Sequence, residues 1–389
     1  MKGGDGMRRF LAELKQFFRK GDMILLLLCL AASGFGCLVL ASTTASMGSL
    51  RFLVVQIAAI TLGVLLYAVV SSVDVGFFSE HRVGLAAFNV LLLLMLIPFG
   101  TDHDTGNKSW LDFPFLPVDI QPAEICKITY ILIMASVMAA HQNRISSVPA
   151  VAHMVLHLGL LAGLNVLISG DMGVSLIFVF IFIGMAFAGG VHFLWFVAAA
   201  GGIVVAWPLL WSHLATYQKN RILVLFDPTI DPNGTDERWH SMQSLLSLTG
   251  GGLTGQGLFH GHRTQTDVLF AKHTDYVFSS IGEELGFLGC LLVLLLEFAI
   301  IARCIYVGSK SPDYMRRLVC YGAASALIFQ VCSNVGMCIG VTPVIGLTLP
   351  FVSYGGSSIV TIFAMLGLVS GVHAKPTSDS HELYIRPYH

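Results

Sequence analysis

Apolar runs long enough to cross a bilayer recur along the whole 389-residue chain, and nothing else in it constrains the fold as strongly. A spanning helix needs about 20 mostly apolar residues, because each residue rises about 1.5 Å through a hydrocarbon core about 30 Å thick. This criterion predicts about ten spans: residues 23–41, 52–73, 83–99, 122–140, 148–168, 172–188, 193–211, 276–306, 319–339 and 357–372. The chain is 55% hydrophobic and only 12% charged, against about 25% charged in a soluble domain. A soluble enzyme could not cover its surface with so few charges, and disorder is excluded by the same numbers. The formal net charge of -1 gives no support for a nucleic-acid partner. The expected fold class is all-α: a polytopic integral membrane protein of about ten transmembrane helices.

The pattern divides the chain into a basic N-terminal segment (1–21), a membrane domain (22–373) and a C-terminal tail (374–389). With the N-terminus in the cytoplasm, the inner segments hold Lys2, Arg8, Arg9, Lys15, Arg19, Lys20, Arg82, Arg144, Arg303, Lys310, Arg316 and Arg317. The short outer loops hold only Arg51 and Lys108. That asymmetry satisfies the positive-inside rule and places both termini in the cytoplasm. The first apolar run lacks a small-residue cleavage site and is expected to stay as an anchor. The stretch Met7–Lys20 either lies on the anionic inner leaflet or only fixes topology. A long loop, about 212–275, joins spans seven and eight outside the cell. It carries the turn-rich run Asp227–Gly234 and the glycine-rich run Thr249–Gly257. Its Leu245, Leu246 and Leu248 are expected to pack it against the membrane face. The eight cysteines form no CxxC pair and read as small helix residues.

Ionisable groups in or beside a bilayer are expensive, so they mark functional suspects. Here Glu124, Lys127, Asp171, Asp275, Glu283 and Glu284, with the amide of Asn334, gather toward the outer side. One polar cavity open to the outside accounts for them. Glu124 and Lys127, spaced i, i+3, share a helix face and can pair; such a pair can also serve packing alone. Asp171 and Asp275 each stand where a helix N-cap would, and Glu283 and Glu284 could make helix-helix hydrogen bonds only. Thr348–Ser358, with Pro and Gly-Gly, is poor helix material and reads as a kinked segment lining a cavity, or as a plain loop.

Four blocks resemble the SEDS family (shape, elongation, division and sporulation), the FtsW/RodA/SpoVE-like membrane glycosyltransferases. Gln121-Pro-Ala-Glu-Ile-Cys-Lys127 is similar to the family's QPxExxK. Gln243-Ser244 with Gly250–Gly257 is similar to QS…GSGGxxGxG. His273-Thr-Asp-Tyr-Val-Phe278 with Ile281-Gly-Glu-Glu-Leu-Gly286 is similar to HTDFIF…GEELG. Pro343–Ser358 is similar to PxxGxxLPFxSYGGSS. The blocks occur in order across nearly the whole chain. Four places depart from the pattern: Ser169–Gly173 keeps the Asp and Gly of QPDxG but not its Gln-Pro, Ser109 replaces the Arg of Arg-Trp, Ser247–Gly252 replaces AxGSGG, and Leu269–Lys272 lacks a Leu-Pro-Glu.

The resemblance implies a peptidoglycan glycosyltransferase that polymerises lipid II in elongation, division or sporulation. Asp275 would be the catalytic base that activates the acceptor hydroxyl. Arg221, Arg238, Arg263 and Lys272 are the implied counter-charges for the diphosphate. Glu124, Lys127, Asp171, Glu283, Asn334 and Ser353 would bind substrate or shape the cavity. A divalent cation, magnesium or manganese, is a candidate companion, with its ligands unknown; no organic cofactor is expected. Expected partners are lipid II, polyprenyl-diphosphate-linked glycan, a class B penicillin-binding protein and the membrane, with the protein in the bacterial inner (plasma) membrane. A lipid II flippase and a non-catalytic scaffold for the penicillin-binding protein remain alternatives.

Overall fold

The computed structural model describes residues 20–101, 107–112, 119–214, 216–227, 229, 231, 239–266 and 268–375. The basic segment before Lys20, the tail beyond Lys375 and Arg238 lie outside the described residues. The first half of the chain folds into α1 (Met23–Thr43), α2 (Arg51–Ser72), a short connector α3 (Val75–Glu80), α4 (Arg82–Leu94) and α5 (Leu96–Phe99). A small ribbon pairs Gly100–Thr101 with Trp110–Leu111. It is followed by α6 (Pro122–Ala140), α7 (Val148–Ser169), α8 (Met172–Ala188) and α9 (Phe193–His213). The long loop holds α10 (Thr216–Leu223) and α11 (Trp239–Gly250), and the chain closes with α12 (Val277–Lys310), α13 (Tyr314–Cys338) and α14 (Gly356–Ala374).

Among the described residues eight helical stretches are long and apolar enough to cross a membrane, with α4 and α5 together (Arg82–Phe99) counted as one, and Met172–Ala188 and Phe193–Leu209 are shorter apolar stretches at the sixth and seventh predicted spans. The chain is a multi-pass membrane protein. Helices α6, α13 and α14 form the centre, where most side chains are buried. Helix α9 instead presents Val204 and Val205, 72% and 82% exposed. Apolar side chains left open on a spanning helix suit contact with lipid tails. Six of the eight cysteines are buried; Cys37 is half-buried and Cys332 exposed.

One charged clamp holds the end of the bundle away from the long loop. Asp22 is 1% exposed. It caps α1 through Leu25 N at 3.1 Å and accepts two bonds from Arg303 of α12, at 2.8 and 3.1 Å. Its own N–H donates to Ser370 Oγ of α14 at 3.0 Å, and Tyr67 of α2 donates to its carbonyl at 2.9 Å. Four helices thus meet at one residue. Asp22→Ala would leave the Arg303 charge without its partner, so we expect a loss of about 3–5 kcal/mol. A thermal unfolding midpoint in detergent equal to wild type would show that the clamp bears no load.

The eighth predicted span is the one the structure reshapes. The sequence predicts one unbroken helix from 276 to 306, whereas α12 bends sharply at Gly286 (φ 67, ψ -164). The bend creates a short limb, Val277–Leu285, that carries Glu283 and Glu284 and receives the long loop.

Candidate active site

The glycine-rich run of the loop is spliced into the bend of α12. Within an unbroken helix, Phe287 N and Leu288 N would donate to the carbonyls of Glu283 and Glu284. Here they donate to Gly252 O and Leu253 O, at 2.9 and 3.2 Å. The two freed carbonyls accept instead from Gln256 N and Gly257 N, at 2.9 and 3.0 Å. These four displaced backbone groups are repaired by the loop, as burial demands. A side chain at Gly255 would place its Cβ 2.1 Å from Glu284 O, so the backbones meet too closely for any other residue.

Both carboxylates of the limb are spent on the same loop. Glu283, fully buried, accepts from Arg263 N, Thr264 N and Thr264 Oγ1, at 2.9, 2.7 and 2.7 Å. Glu284 accepts from Ser42 Oγ of α1 at 2.5 Å and from Gln265 Nε2 at 2.7 Å. Glu283 is therefore an anchor for the loop, reaching protein donors rather than open space. The three leucines expected to seat the loop divide: Leu245 and Leu246 are 46% and 41% exposed, while Leu248 packs on the limb beside Gly282.

Asp275 stands immediately before the limb. The N-cap of α12 is Tyr276, and no side-chain capping bond is formed. The capping reading of Asp275 therefore fails, and its carboxylate is left for other work. Its backbone is held tightly: Asn334 Nδ2 donates to Asp275 O at 2.8 Å and to Leu347 O at 2.7 Å. Ser353 Oγ donates to Thr274 O at 2.6 Å and accepts from Leu349 N at 2.9 Å. Tyr354 N donates to His273 O at 2.8 Å. The segment Pro343–Ser358 is thus stitched alongside His273–Asp275, and Gly346 lies against the Asp275 carboxylate. Ala271 (φ 48) and Phe351 (φ 60) sit in left-handed backbone on either side, at about 1–2 kcal/mol each for a residue with a Cβ. Burial pushes the Asp275 carboxyl up to about 6, and the charge of Asp171 adds to the shift.

Asp171, unlike Asp275, is an N-cap: it accepts from Val174 N at 3.0 Å. Its other oxygen accepts from Gln121 Nε2 and Ser109 Oγ, at 3.3 and 3.4 Å. Burial raises its carboxyl too, with Glu124 adding to the effect. Glu124 pairs with Lys127 at 2.8 Å and accepts from Thr361 Oγ1 at 3.0 Å. A row of carboxyl groups therefore runs from Asp275 through Asp171 to Glu124, closed by one lysine. Buried polar atoms along it lack protein partners: His273 Nδ1, Asn334 Oδ1, Ser357 Oγ and Ser358 Oγ. Unsatisfied polar atoms at such density suit a polar ligand.

The basic residues of the loop do not act alike. Lys272 is 2% exposed and donates to Ser46 Oγ at 2.8 Å and Thr266 O at 3.3 Å. It braces the loop and is turned away from solvent. Arg263 is bound to Gln243 at 3.3 Å and lies 4.0 Å from Glu283. Arg221 is exposed in the last turn of α10, and its charge reaches Tyr276, next to Asp275. Among the described residues no group of three or more His, Cys, Asp or Glu could hold a metal ion.

Some residues escaped the sequence reading. Gln56, fully buried on α2, donates to Ser353 O at 3.1 Å and accepts from Gly355 N at 3.4 Å. A lone amide inside an apolar span was the available signal. Phe52, His273 and Tyr354 form a ring cluster, with centroids 5.2, 5.2 and 5.9 Å apart, that only folding assembles. Glu297, 1% exposed, is a further carboxyl in α12, away from this site.

A family model described as a cell cycle protein, FtsW/RodA/SpoVE, matches residues 22–378. The chain belongs to the FtsW/RodA/SpoVE family. Among family members, the peptidoglycan glycosyltransferase MrdB of Escherichia coli is 30% identical, over 90% of this chain and 93% of its own. A probable peptidoglycan glycosyltransferase FtsW of Thiomicrospira cyclica is 32% identical, over 90% of each chain. A chain from a structural study of polymerization and crosslinking by a peptidoglycan synthase complex superposes with a TM-score of 0.77 at 29% identity. It covers 92% of this chain and 99% of that one. The rod shape determining protein RodA of Thermus thermophilus superposes with a TM-score of 0.68 at 26% identity, over 92% and 98%.

Proposed function

We propose that this FtsW/RodA/SpoVE family member is a peptidoglycan glycosyltransferase that polymerises lipid II at the outer face of the bacterial plasma membrane. The observation that carries this reading is the Asp275 carboxylate. It caps nothing, faces the Pro343–Ser358 segment, and titrates near the pH at which a general base works best. The 4-hydroxyl of an acceptor N-acetylglucosamine attacks the anomeric carbon of the polyprenyl-diphosphate-linked glycan. Its proton passes to Asp275 as the new β-1,4 bond forms. The anomeric C–O bond breaks with inversion, and its electron pair leaves on the diphosphate. Among the described loop cations, Arg221 is exposed with its charge acting near Tyr276 and would meet that charge, whereas Arg263 is engaged by Glu283. Asp171, Glu124 and Lys127 shape the cavity. No step is routed through a metal.

Twelve basic residues in the inner segments against two in the short outer loops support cytoplasmic termini and an outward-facing Asp275. The partner that fits this chemistry is a class B penicillin-binding protein, which would crosslink the new strand. The test is polymerisation of purified lipid II with and without that partner. Long glycan strands support the reading; none under either condition, with lipid flipping in liposomes instead, would replace it by transport.

A second expectation follows from the acid-base state. Asp275 acts as a base only when ionised, and its carboxyl titrates at about 6. Below that pH the rate should fall about tenfold per pH unit, and above about pH 7 it should level off. A flat rate from about pH 5 to pH 7 would remove Asp275 from the role of base.

A further inference from the structure

At the end of the bundle away from Asp275, three helices bring basic side chains together. His153 and His157 lie one turn apart on α7, with ring centroids 5.0 Å apart. His141, at the end of α6, stands 5.4 Å from His153. Its Nδ1 donates to Val137 O at 2.8 Å, which holds the ring in place and leaves Nε2 as the other ring nitrogen. Arg82, the first residue of α4, is within electrostatic reach of both His153 and His157. All four are partly buried, and among the described residues no carboxylate pairs with Arg82. The other ionisable groups nearby, Glu80, His81 and Arg144, are exposed, and α8, which packs on α7, carries none.

A neighbouring tryptophan marks the depth of this cluster. Trp195 of α9 donates its Nε1–H to Ser146 O at 2.9 Å, in the turn between α6 and α7. Tryptophans so placed sit at the membrane–water boundary. Arg82, His141 and the start of α7 therefore lie near the level of phosphate headgroups, with His153 and His157 one and two turns further along α7.

The charge decides what could occupy it. Histidines one turn apart suit a transition metal. Yet no third donor completes a metal site among the described residues, and the Arg82 charge opposes a cation. A half-buried guanidinium without a counter-ion, ringed by imidazoles that can each gain a proton, fits an anion. We propose that Arg82, His141, His153 and His157 bind the phosphate headgroup of an anionic lipid in the adjacent leaflet. The bound phosphate favours the protonated imidazoles, so occupancy rises as pH falls. This site is independent of the glycosyltransferase reading.

The test uses the full chain in phosphatidylcholine nanodiscs with and without phosphatidylglycerol, counting retained lipids by native mass spectrometry. Wild type should retain phosphatidylglycerol preferentially, more at about pH 6 than at about pH 8. Arg82→Gln and the double variant His153→Gln, His157→Gln should each lower that preference about tenfold or more. Arg82→Lys keeps the charge and should keep part of it, and equal unfolding midpoints in pure phosphatidylcholine certify the folds. Equal retention by wild type and variants overturns the proposal. Displacement of the lipid by inorganic phosphate would overturn the lipid assignment in favour of a soluble phosphate. Zinc-dependent stabilisation lost in the histidine variant, with no lipid preference, would overturn it in favour of a metal.

Discussion

Asp275→Ala and Asp275→Asn should each lower lipid II polymerisation by about 10²–10⁴-fold, the usual contribution of a positioned general base. The asparagine variant is the sharper of the two, because it keeps the size of the side chain and removes only its basicity. It should also be more stable. The carboxyl titrates at about 6 in the folded chain, against 3.8 for the ordinary group. A folded value raised in this way favours the protonated form. Its stabilising contribution is present at low pH and is lost as pH rises through about 6, so ionised Asp275 costs up to about 3 kcal/mol at neutral pH. Asp275→Asn should therefore unfold at a higher temperature than wild type at about pH 8 while making no polymer. Inactivity with a lowered unfolding temperature would point to structural damage instead. Normal polymerisation by both variants would reject the assignment. Asp171 would then be the next base to test, since Glu283 already accepts three hydrogen bonds from the loop.

Gly286→Ala should be nearly as damaging without touching the reacting atoms. Gly286 combines φ 67 with ψ -164, a region essentially closed to residues with a Cβ. A Cβ there would also lie 2.4 Å from Gly255 N. Strain of about 1–3 kcal/mol and overpacking of about 1–3 kcal/mol would act together. The cheapest escape is to straighten α12, which returns the Glu283 and Glu284 carbonyls to Phe287 and Leu288 and releases the loop. We expect a large loss of activity together with faster proteolysis of the loop near Gly255. Full activity with an unchanged protease pattern would show that the bend is not needed to hold the site.

Much of the fold was legible because lipid imposes a coarse rule. Every backbone polar group must be satisfied within its own segment, so run length and hydropathy alone mark the helices. The predicted start of α6 at Pro122 and the limits of α8 at Met172 and Ala188 agree with the structure. The bend in α12 was not legible. Ile281–Gly286 reads as helix, and the partner that straightening would discard lies some thirty residues earlier in the chain. The site was legible as residue types and only partly as geometry. Asp171 and Asp275 look equivalent in sequence, each before an apolar run, but one caps its helix and the other does not. Lys272 and Arg221 look like equal cations, but one is buried under Ser46 and the other is exposed.

The sequence alone determined that this chain is a bundle of membrane-spanning helices with its scarce charges gathered beside one long loop, because the cost of burying charge in lipid leaves few other arrangements. It also carried the Asp275 motif and its family resemblance. Only the tertiary structure decided which charges are spent on holding the loop. Hydrogen-bond satisfaction is a property of contacts between distant segments, and residue spacing along one helix does not encode it.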